Sequence, residues 1–75
     1  MSDFWDREEV FGEFPVSKNG DIKVVVSKAT KSGRDHINIR RWYQDENGEF
    51  RPTSKGLTIP FKDLEQLQEI LQAMR

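Results

Sequence analysis

The 75-residue sequence contains no cysteine, which excludes disulfide bridges and thiolate metal sites and is usual in a reducing compartment. No apolar run approaches the ~18 residues that a membrane span needs. Residues 1–3 lack the basic start of a signal peptide. A chain of this length forms one domain. We therefore expect a cytoplasmic protein, nucleoid-associated if its ligand is DNA.

Catalytic and cofactor-binding motifs are also missing. There is no P-loop and no G-x-G-x-x-G, and the one histidine, His36, has no cysteine with which to share a metal. Ser32, Asp35 and His36 are neighbours on one predicted hairpin, so they cannot converge as a catalytic triad. We expect no enzymatic activity, no metal site and no cofactor.

Charge is nearly balanced over the whole chain but unevenly distributed along it. Residues 1–13 carry five acidic side chains and one arginine, a net charge of −4, whereas residues 14–55 carry nine basic and five acidic ones, a net charge of +4. A local basic surface attracts phosphate groups. We interpret residues 1–9 as a flexible acidic tail and residues 10–75 as the folded domain. One hypothesis is that the tail lies on the basic surface and competes with nucleic acid.

Alternating apolar and polar residues predict four strands. They cover residues 10–18, 21–28, 37–43 and 55–59, and the first is expected at an edge because Pro15 cannot donate a hydrogen bond. Asn19-Gly20 is the strongest hairpin signal and predicts a type I′ turn. Turn residues also occur at Ser32-Gly33 and at 45–48. Two long strands that meet at Ser32-Gly33 would carry basic side chains at the tip of a hairpin.

The C-terminal segment has the periodicity of an amphipathic helix over residues 61–75. The apolar residues of this stripe are Phe61, Leu64, Leu67, Ile70, Leu71 and Met74. The expected fold is therefore α+β, a four-stranded antiparallel sheet followed by one helix. A sheet of this size covers only part of so wide a stripe, so we expect a homodimer that buries the rest.

Residues 40–43 combine two arginines with Trp42 and Tyr43. Cationic side chains that follow phosphates and aromatic faces that stack on bases are the two requirements for binding single strands without sequence preference. Strand alternation puts Arg40 and Trp42 on one face and Tyr43 on the other. One of the two rings is therefore expected to be structural, unless a bulge or the sheet edge intervenes.

One ordered pattern runs I-N-I-R-R-W-Y, then Asp45 and Gly48-Glu49, then Arg51-Pro52, then K-G-L-T-I before a helix. This pattern resembles the positive cofactor 4 (PC4) family of transcriptional coactivators. The resemblance covers roughly residues 13–74 and is strongest to the small bacterial, YdbC-like members. It implies a homodimer of β-β-β-β-α protomers with a curved sheet, whose β-ridges bind single-stranded DNA with little sequence specificity. Such a protein supports transcription, replication or repair.

The resemblance also implies residue roles. The family's strand arginine and the second aromatic of its pair contact DNA, and these positions match Arg40 and Tyr43; Tyr43 is therefore the favoured stacking ring, with Trp42 next. Charge pattern and resemblance together indicate the nucleic-acid-binding residues Lys18, Lys23, Lys28, Lys31, Arg34, Arg40, Trp42, Tyr43, Arg51 and Lys55. The expected dimer-interface residues are Leu64, Leu67, Ile70, Leu71 and Met74.

Two other functions fit the same residues. Stacking and phosphate contact do not distinguish the sugar, so single-stranded RNA is an alternative ligand. A protein-interaction module that uses the apolar and aromatic surface is an alternative of a different class. Its affinity for single-stranded DNA would be negligible, and it would be insensitive to changes at Arg40 or Lys28.

Overall fold

The computed structural model describes residues 4–75 and has four antiparallel strands followed by one helix. The strands are β1 (Arg7–Pro15), β2 (Ile22–Lys31), β3 (Arg34–Gln44) and β4 (Phe50–Pro60); a 3₁₀ turn (Phe61–Asp63) leads into α1 (Leu64–Ala73). The sheet order is β1-β2-β3-β4. The β-β-β-β-α fold expected from the sequence is confirmed. No helix within residues 4–75 is long and apolar enough to cross a bilayer.

Strands β2 and β3 form the centre of the sheet. They pair without interruption over ten residues each, from Ile22 opposite Tyr43 to Lys31 opposite Arg34. The buried apolar side chains of the described residues all lie on these strands; they are Val25, Ala29 and Ile37. The β-branched run in β2 suits this position because branched side chains pack well on a pleated surface.

The type I′ turn lies at Ser32-Gly33 and not at Asn19-Gly20, where the sequence signal was stronger. Ser32 and Gly33 have φ of 53° and 77°, the positive values that both central residues of such a turn adopt. In the connection between β1 and β2 only Gly20 has a positive φ. There the Ser17 hydroxyl donates to Asp21 Oδ1 (2.6 Å) and accepts from the Ile22 N–H (3.1 Å), which holds a wider loop.

Strand β1 begins at Arg7, three residues before the expected start of the domain. Residues 7–9, which were assigned to the tail, pair with residues 28–30 of β2. The Glu8 carboxylate explains the difference, because its Oε2 accepts hydrogen bonds from Ser27 Oγ (2.6 Å) and Asn38 Nδ2 (3.3 Å). Acidic residues in this segment therefore contribute to strand pairing. The tail prediction also covers residues 1–3, which are outside the described residues.

Helix α1 is not layered onto the sheet. None of its residues is buried: Ile70 and Leu71 are 58% and 51% exposed, and Met74, which follows the last residue of the helix, is 73% exposed. The molecule measures 37 × 35 × 18 Å and exposes 6049 Å². A folded monomer of 8.8 kDa typically exposes about 4,800 Å². A single chain therefore leaves an unusually large surface, much of it apolar, uncovered.

Strand β4 carries an irregularity opposite Arg41. Pairing runs from Arg40 opposite Gly56 directly to Trp42 opposite Pro52, so that residues 53–55 of β4 face only Arg41. At Gly56 the two strands approach so closely that an added Cβ would lie 2.6 Å from the Ile39 carbonyl oxygen and 2.9 Å from Arg40 Cα. Both of these are backbone atoms and cannot rotate away, so glycine is required here.

We expect Gly56→Ala to destabilise the fold by about 1–3 kcal/mol, because the methyl group would force the backbones of β3 and β4 apart. Urea denaturation followed by circular dichroism measures this change. Gly12→Ala is the matched control, since Gly12 is also in a strand and a Cβ there meets nothing within 4 Å. The control should be neutral or slightly stabilising. Equal effects of the two substitutions would contradict this account of Gly56.

Candidate nucleic-acid interface

Strand register sorts the side chains onto two faces, because residues directly opposite each other in a sheet point the same way. One face, called here the polar face, carries Lys23, Val25, Ser27, Lys31, Arg34, Asn38, Arg40 and Trp42. The other, called the apolar face, carries Val24, Val26, Ile37, Ile39, Leu57 and Ile59. The sheet therefore gathers most of the aliphatic side chains on one face, whereas basic strand residues occur on both, since Arg7, Lys28, Arg41 and Arg51 lie on the apolar face.

Arg40 is held in place near the middle of the polar face. Its Nη1 donates to the Thr53 carbonyl oxygen (3.0 Å) and its Nη2 to Asn38 Oδ1 (3.4 Å). The first bond depends on the irregularity in β4, which directs the Thr53 carbonyl oxygen towards the guanidinium group. Two bonds leave donors on Arg40 unused, since a guanidinium group has five. Arg40 is thus half-buried and oriented, and it retains capacity to bind a phosphate or a base edge.

Trp42 and Tyr43 lie on opposite faces, as strand alternation predicted. Trp42 is half-buried on the polar face, opposite Lys23 in the register and two residues from Arg40. Tyr43 is 43% exposed on the apolar face, opposite Ile22 and Arg51. Only Trp42 therefore shares a face with Arg40.

Lys23 is already engaged by its neighbours. Its ammonium group forms an ion pair with Glu13 Oε1 (2.7 Å) and lies 4.1 Å from the centre of the Phe50 ring, a cation–π contact. Its side chain is 23% exposed. A phosphate would have to compete with Glu13, so Lys23 is less available than its position on the polar face suggests.

The basic residues at the β2–β3 turn do not form one patch. Lys31 lies on the polar face, 4.8 Å from the centre of the Phe4 ring, and Arg34 is exposed beside it. Lys28 lies on the apolar face, 3.7 Å from Asp35 Oδ2 and 4.9 Å from the Phe61 ring centre. A hydrogen bond from the Thr30 hydroxyl and, secondarily, the charge of Lys28 lower the pKa of Asp35.

The turn between β3 and β4 is organised by Asp45. Its Oδ1 accepts from the N–H groups of Asn47 and Glu49, and its Oδ2 lies 2.6 Å from Arg51 Nε. The hydrogen bond from Arg51 is the main cause that lowers the pKa of Asp45, and the same contact raises that of Arg51. Arg51 therefore has a structural partner in this turn, and its side chain remains 55% exposed.

The remaining two candidates lie apart from the polar face. Lys18 is exposed in the loop between β1 and β2, and Lys55 is exposed in the irregular part of β4. That loop lies at the opposite end of the sheet from the β2–β3 turn, as the hydrogen bond from the Gln44 N–H to the Asp21 carbonyl oxygen (2.8 Å) indicates. The predicted basic residues are thus distributed over both ends and both faces of the sheet.

Sequence reasoning did not assign Trp5, Glu8 or Asn38 to the site. With Arg40, Trp42 and Thr58 they line a groove of about 480 Å³ on the polar face. Alternation along β3 was a usable signal for Asn38, since it is two residues from Arg40. No sequence signal located Trp5, because its position depends on how residues 4–8 cross the sheet.

Comparisons with known proteins agree with this architecture. Residues 18–70 match the model of the family described as Transcriptional Coactivator p15 (PC4). A solved structure described as a bacteriophage T5 homologue of the eukaryotic transcription coactivator PC4, implicated in recombination-dependent DNA replication, is 24% identical. It aligns with a TM-score of 0.57 over 84% of this chain and 70% of that one, a likeness of fold. No curated protein matches the sequence.

We expect the Asp45 carboxyl group to titrate below the ordinary range of an aspartate, because Arg51 and two backbone N–H groups stabilise its charged form. A pKa lowered by folding adds stability at pH values above the unfolded pKa, and this contribution is lost as the pH falls through the folded pKa. Titration of the carboxyl carbon by nuclear magnetic resonance measures the folded value.

Arg51→Ala should raise the midpoint of the Asp45 titration towards the ordinary value. Lys55→Ala is the matched control, since Lys55 lies on the same strand but forms no ion pair within the described residues. An unchanged midpoint in Arg51→Ala would show that Arg51 does not determine the charge of Asp45.

Proposed function

The chain belongs to the transcriptional coactivator p15 (PC4) family, and from this premise we propose that it is a homodimeric protein that binds single-stranded DNA with little sequence specificity. The observation that carries the proposal is the groove on the polar face, where the oriented guanidinium group of Arg40 lies beside the ring of Trp42. A cation and an aromatic face in one groove are what a base and its phosphate require. A supporting role in transcription, replication or repair follows from the proposal.

The shared face of Arg40 and Trp42 favours Trp42 as the stacking ring. Tyr43, which the family resemblance favours, lies between Ile22 and Arg51 on the opposite face, which we assign to the dimer. Lys31 and Arg34 extend the basic surface from the groove towards the β2–β3 turn. A single strand that crosses the polar face would meet these side chains in succession.

The dimer is supported by the apolar surface that one chain leaves uncovered. On the sheet this surface includes Leu57, which is 51% exposed, and on the helix it includes Ile70, Leu71 and Met74. Exposed apolar patches of this extent are typical of interfaces between proteins. A second copy fits because a two-fold axis lets the helix of each chain cover the apolar surface of the other.

We expect the wild-type protein to bind fluorescent oligo-dT and to lose affinity as salt is raised, with a slope in log K of roughly −0.7 for each phosphate neutralised. Fluorescence anisotropy at several salt concentrations measures this slope. Trp42→Leu should weaken binding by ~1–3 kcal/mol, the contribution of one stacked base. Tyr43→Leu should weaken it less, because Tyr43 is on the other face.

Other outcomes of this binding experiment would favour the alternative ligands or the alternative stacking ring. Equal competition by duplex DNA would remove the stacking argument, and preferential competition by oligo-U would indicate RNA as the ligand. No binding to any of these oligonucleotides would favour the protein-interaction module. A larger loss in Tyr43→Leu than in Trp42→Leu would restore Tyr43 as the stacking ring.

We expect light scattering to give twice the mass of one chain at micromolar concentration. Ile70→Glu should weaken the dimer at least about tenfold, because it would bury an unpaired charge. Ile70 is 58% exposed in one chain, so the substitution should not impair folding of the protomer. Gln72→Glu is the matched control on the polar side of the helix. A wild-type mass of one chain would contradict the dimer.

A further inference from the structure

We propose that Trp5 supplies a second base-stacking ring, so that a single-stranded nucleic acid is held between Trp5 and Trp42. The inference rests on the proposed function and extends it to a segment outside the part of the chain that matches the family, residues 18–70. Both tryptophans line the groove on the polar face, together with Asn38, Arg40 and Thr58.

The segment that carries Trp5 is fixed to the sheet. The Asp6 N–H donates to the Thr30 carbonyl oxygen (2.8 Å), and Asp6 Oδ2 accepts from the Ser32 N–H (2.8 Å). Two residues further on, Glu8 is bonded to Ser27 and Asn38. Trp5 is therefore followed directly by residues whose backbone and side-chain hydrogen bonds hold the segment against the sheet.

The Trp5 ring has a rigid support of its own. Its centre lies 5.5 Å from that of His36, with the planes tilted by 45°, and 4.9 Å from that of Phe4 in an edge-to-face contact. The ring is only half-buried despite these contacts. A supported and partly exposed ring is suited to stacking, since little conformational entropy is lost when a base binds.

Phe4, Trp5 and Glu8 line the groove and leave its interior open. Its volume of about 480 Å³ is within the range of roughly 300–1,000 Å³ found for small-molecule sites. The guanidinium group of Arg40 retains donors for a base edge or a phosphate, whereas Asn38 is buried and its amide already bonds Glu8 and Arg40. Lys31 and Arg34 add positive charge on the same face, so a polyanion with flat bases is the occupant that fits.

The acidic residues of this segment are held by hydrogen bonds to the sheet and not by ion pairs. Within residues 4–75, Asp6, Glu8 and Glu9 form no ion pair with a basic side chain. Asp6 and Glu8 instead accept hydrogen bonds from Ser32, Ser27 and Asn38. Lys31 lies over the Phe4 ring and Arg40 bonds Thr53 and Asn38, and competition between the acidic tail and nucleic acid stays a prediction.

The first experiment compares Trp5→Leu with the wild-type protein in oligo-dT binding by fluorescence anisotropy. We expect at least about fivefold weaker binding, the lower end of what the loss of one stacked base causes, and a smaller loss in Trp5→Phe. Phe11→Leu is the matched control, since Phe11 is an aromatic residue of β1 that is 68% exposed and does not line the groove. Circular dichroism establishes that each variant is folded.

The second experiment keeps the Trp5 side chain intact and does not depend on the fold of Trp5→Leu. In Trp42→Phe, Trp5 is the remaining tryptophan of the sequence. Its fluorescence should be quenched, with saturation, when oligo-dT binds. Emission that does not change while anisotropy reports binding would overturn the proposal for Trp5.

The outcomes separate this inference from the proposed function. Binding by the wild type with no loss in Trp5→Leu refutes the role of Trp5 alone. Tighter binding by Trp5→Leu also refutes it and indicates that residues 4–8 compete with the ligand. Failure of the wild type to bind any single strand refutes both the proposed function and this inference.

Discussion

The unbroken pairing of β2 with β3 is the constraint on which the rest of the molecule depends. Both neighbouring pairs of strands contain an irregularity, after Val10 in β1 and opposite Arg41 in β4, whereas ten consecutive residue pairs join the two central strands. A slip of one residue would move every side chain of a strand to the opposite face. The register therefore determines that Arg40 meets Val25 and that Lys23 meets Trp42, and with them the composition of both faces.

A single layer of four strands has two faces, and one short helix at its end covers neither. The two faces carry different kinds of side chain. The polar face carries oriented polar side chains, such as Arg40 and Asn38, that favour a charged ligand. The apolar face and α1 carry aliphatic side chains, among them Leu57, Ile70 and Leu71, that one chain leaves exposed. The proposed dimer would add stability to a protomer that buries three apolar side chains within residues 4–75.

Much of the fold could be predicted from the sequence because it depends on local periodicity. The alternation in β3 and the three- and four-residue spacing from Leu64 to Met74 identify the strand and the helix. The tight turn was misplaced, because Asn19-Gly20 has the favoured residues but Ser17 and Asp21 hold a wider loop there. The start of β1 was misplaced because Glu8 is bonded to residues 19 and 30 positions away.

The sequence by itself determined the elements, the excess of basic residues in 14–55 and the separation of Trp42 from Tyr43, since strand alternation is a local property of the backbone. Tertiary structure alone decided which of the basic residues are already paired, as Lys23 is with Glu13 and Arg51 with Asp45. It also decided that Trp5 and Trp42 line the same groove. These contacts join residues distant in sequence, and only the register of the strands and the crossing of residues 4–8 brings them together.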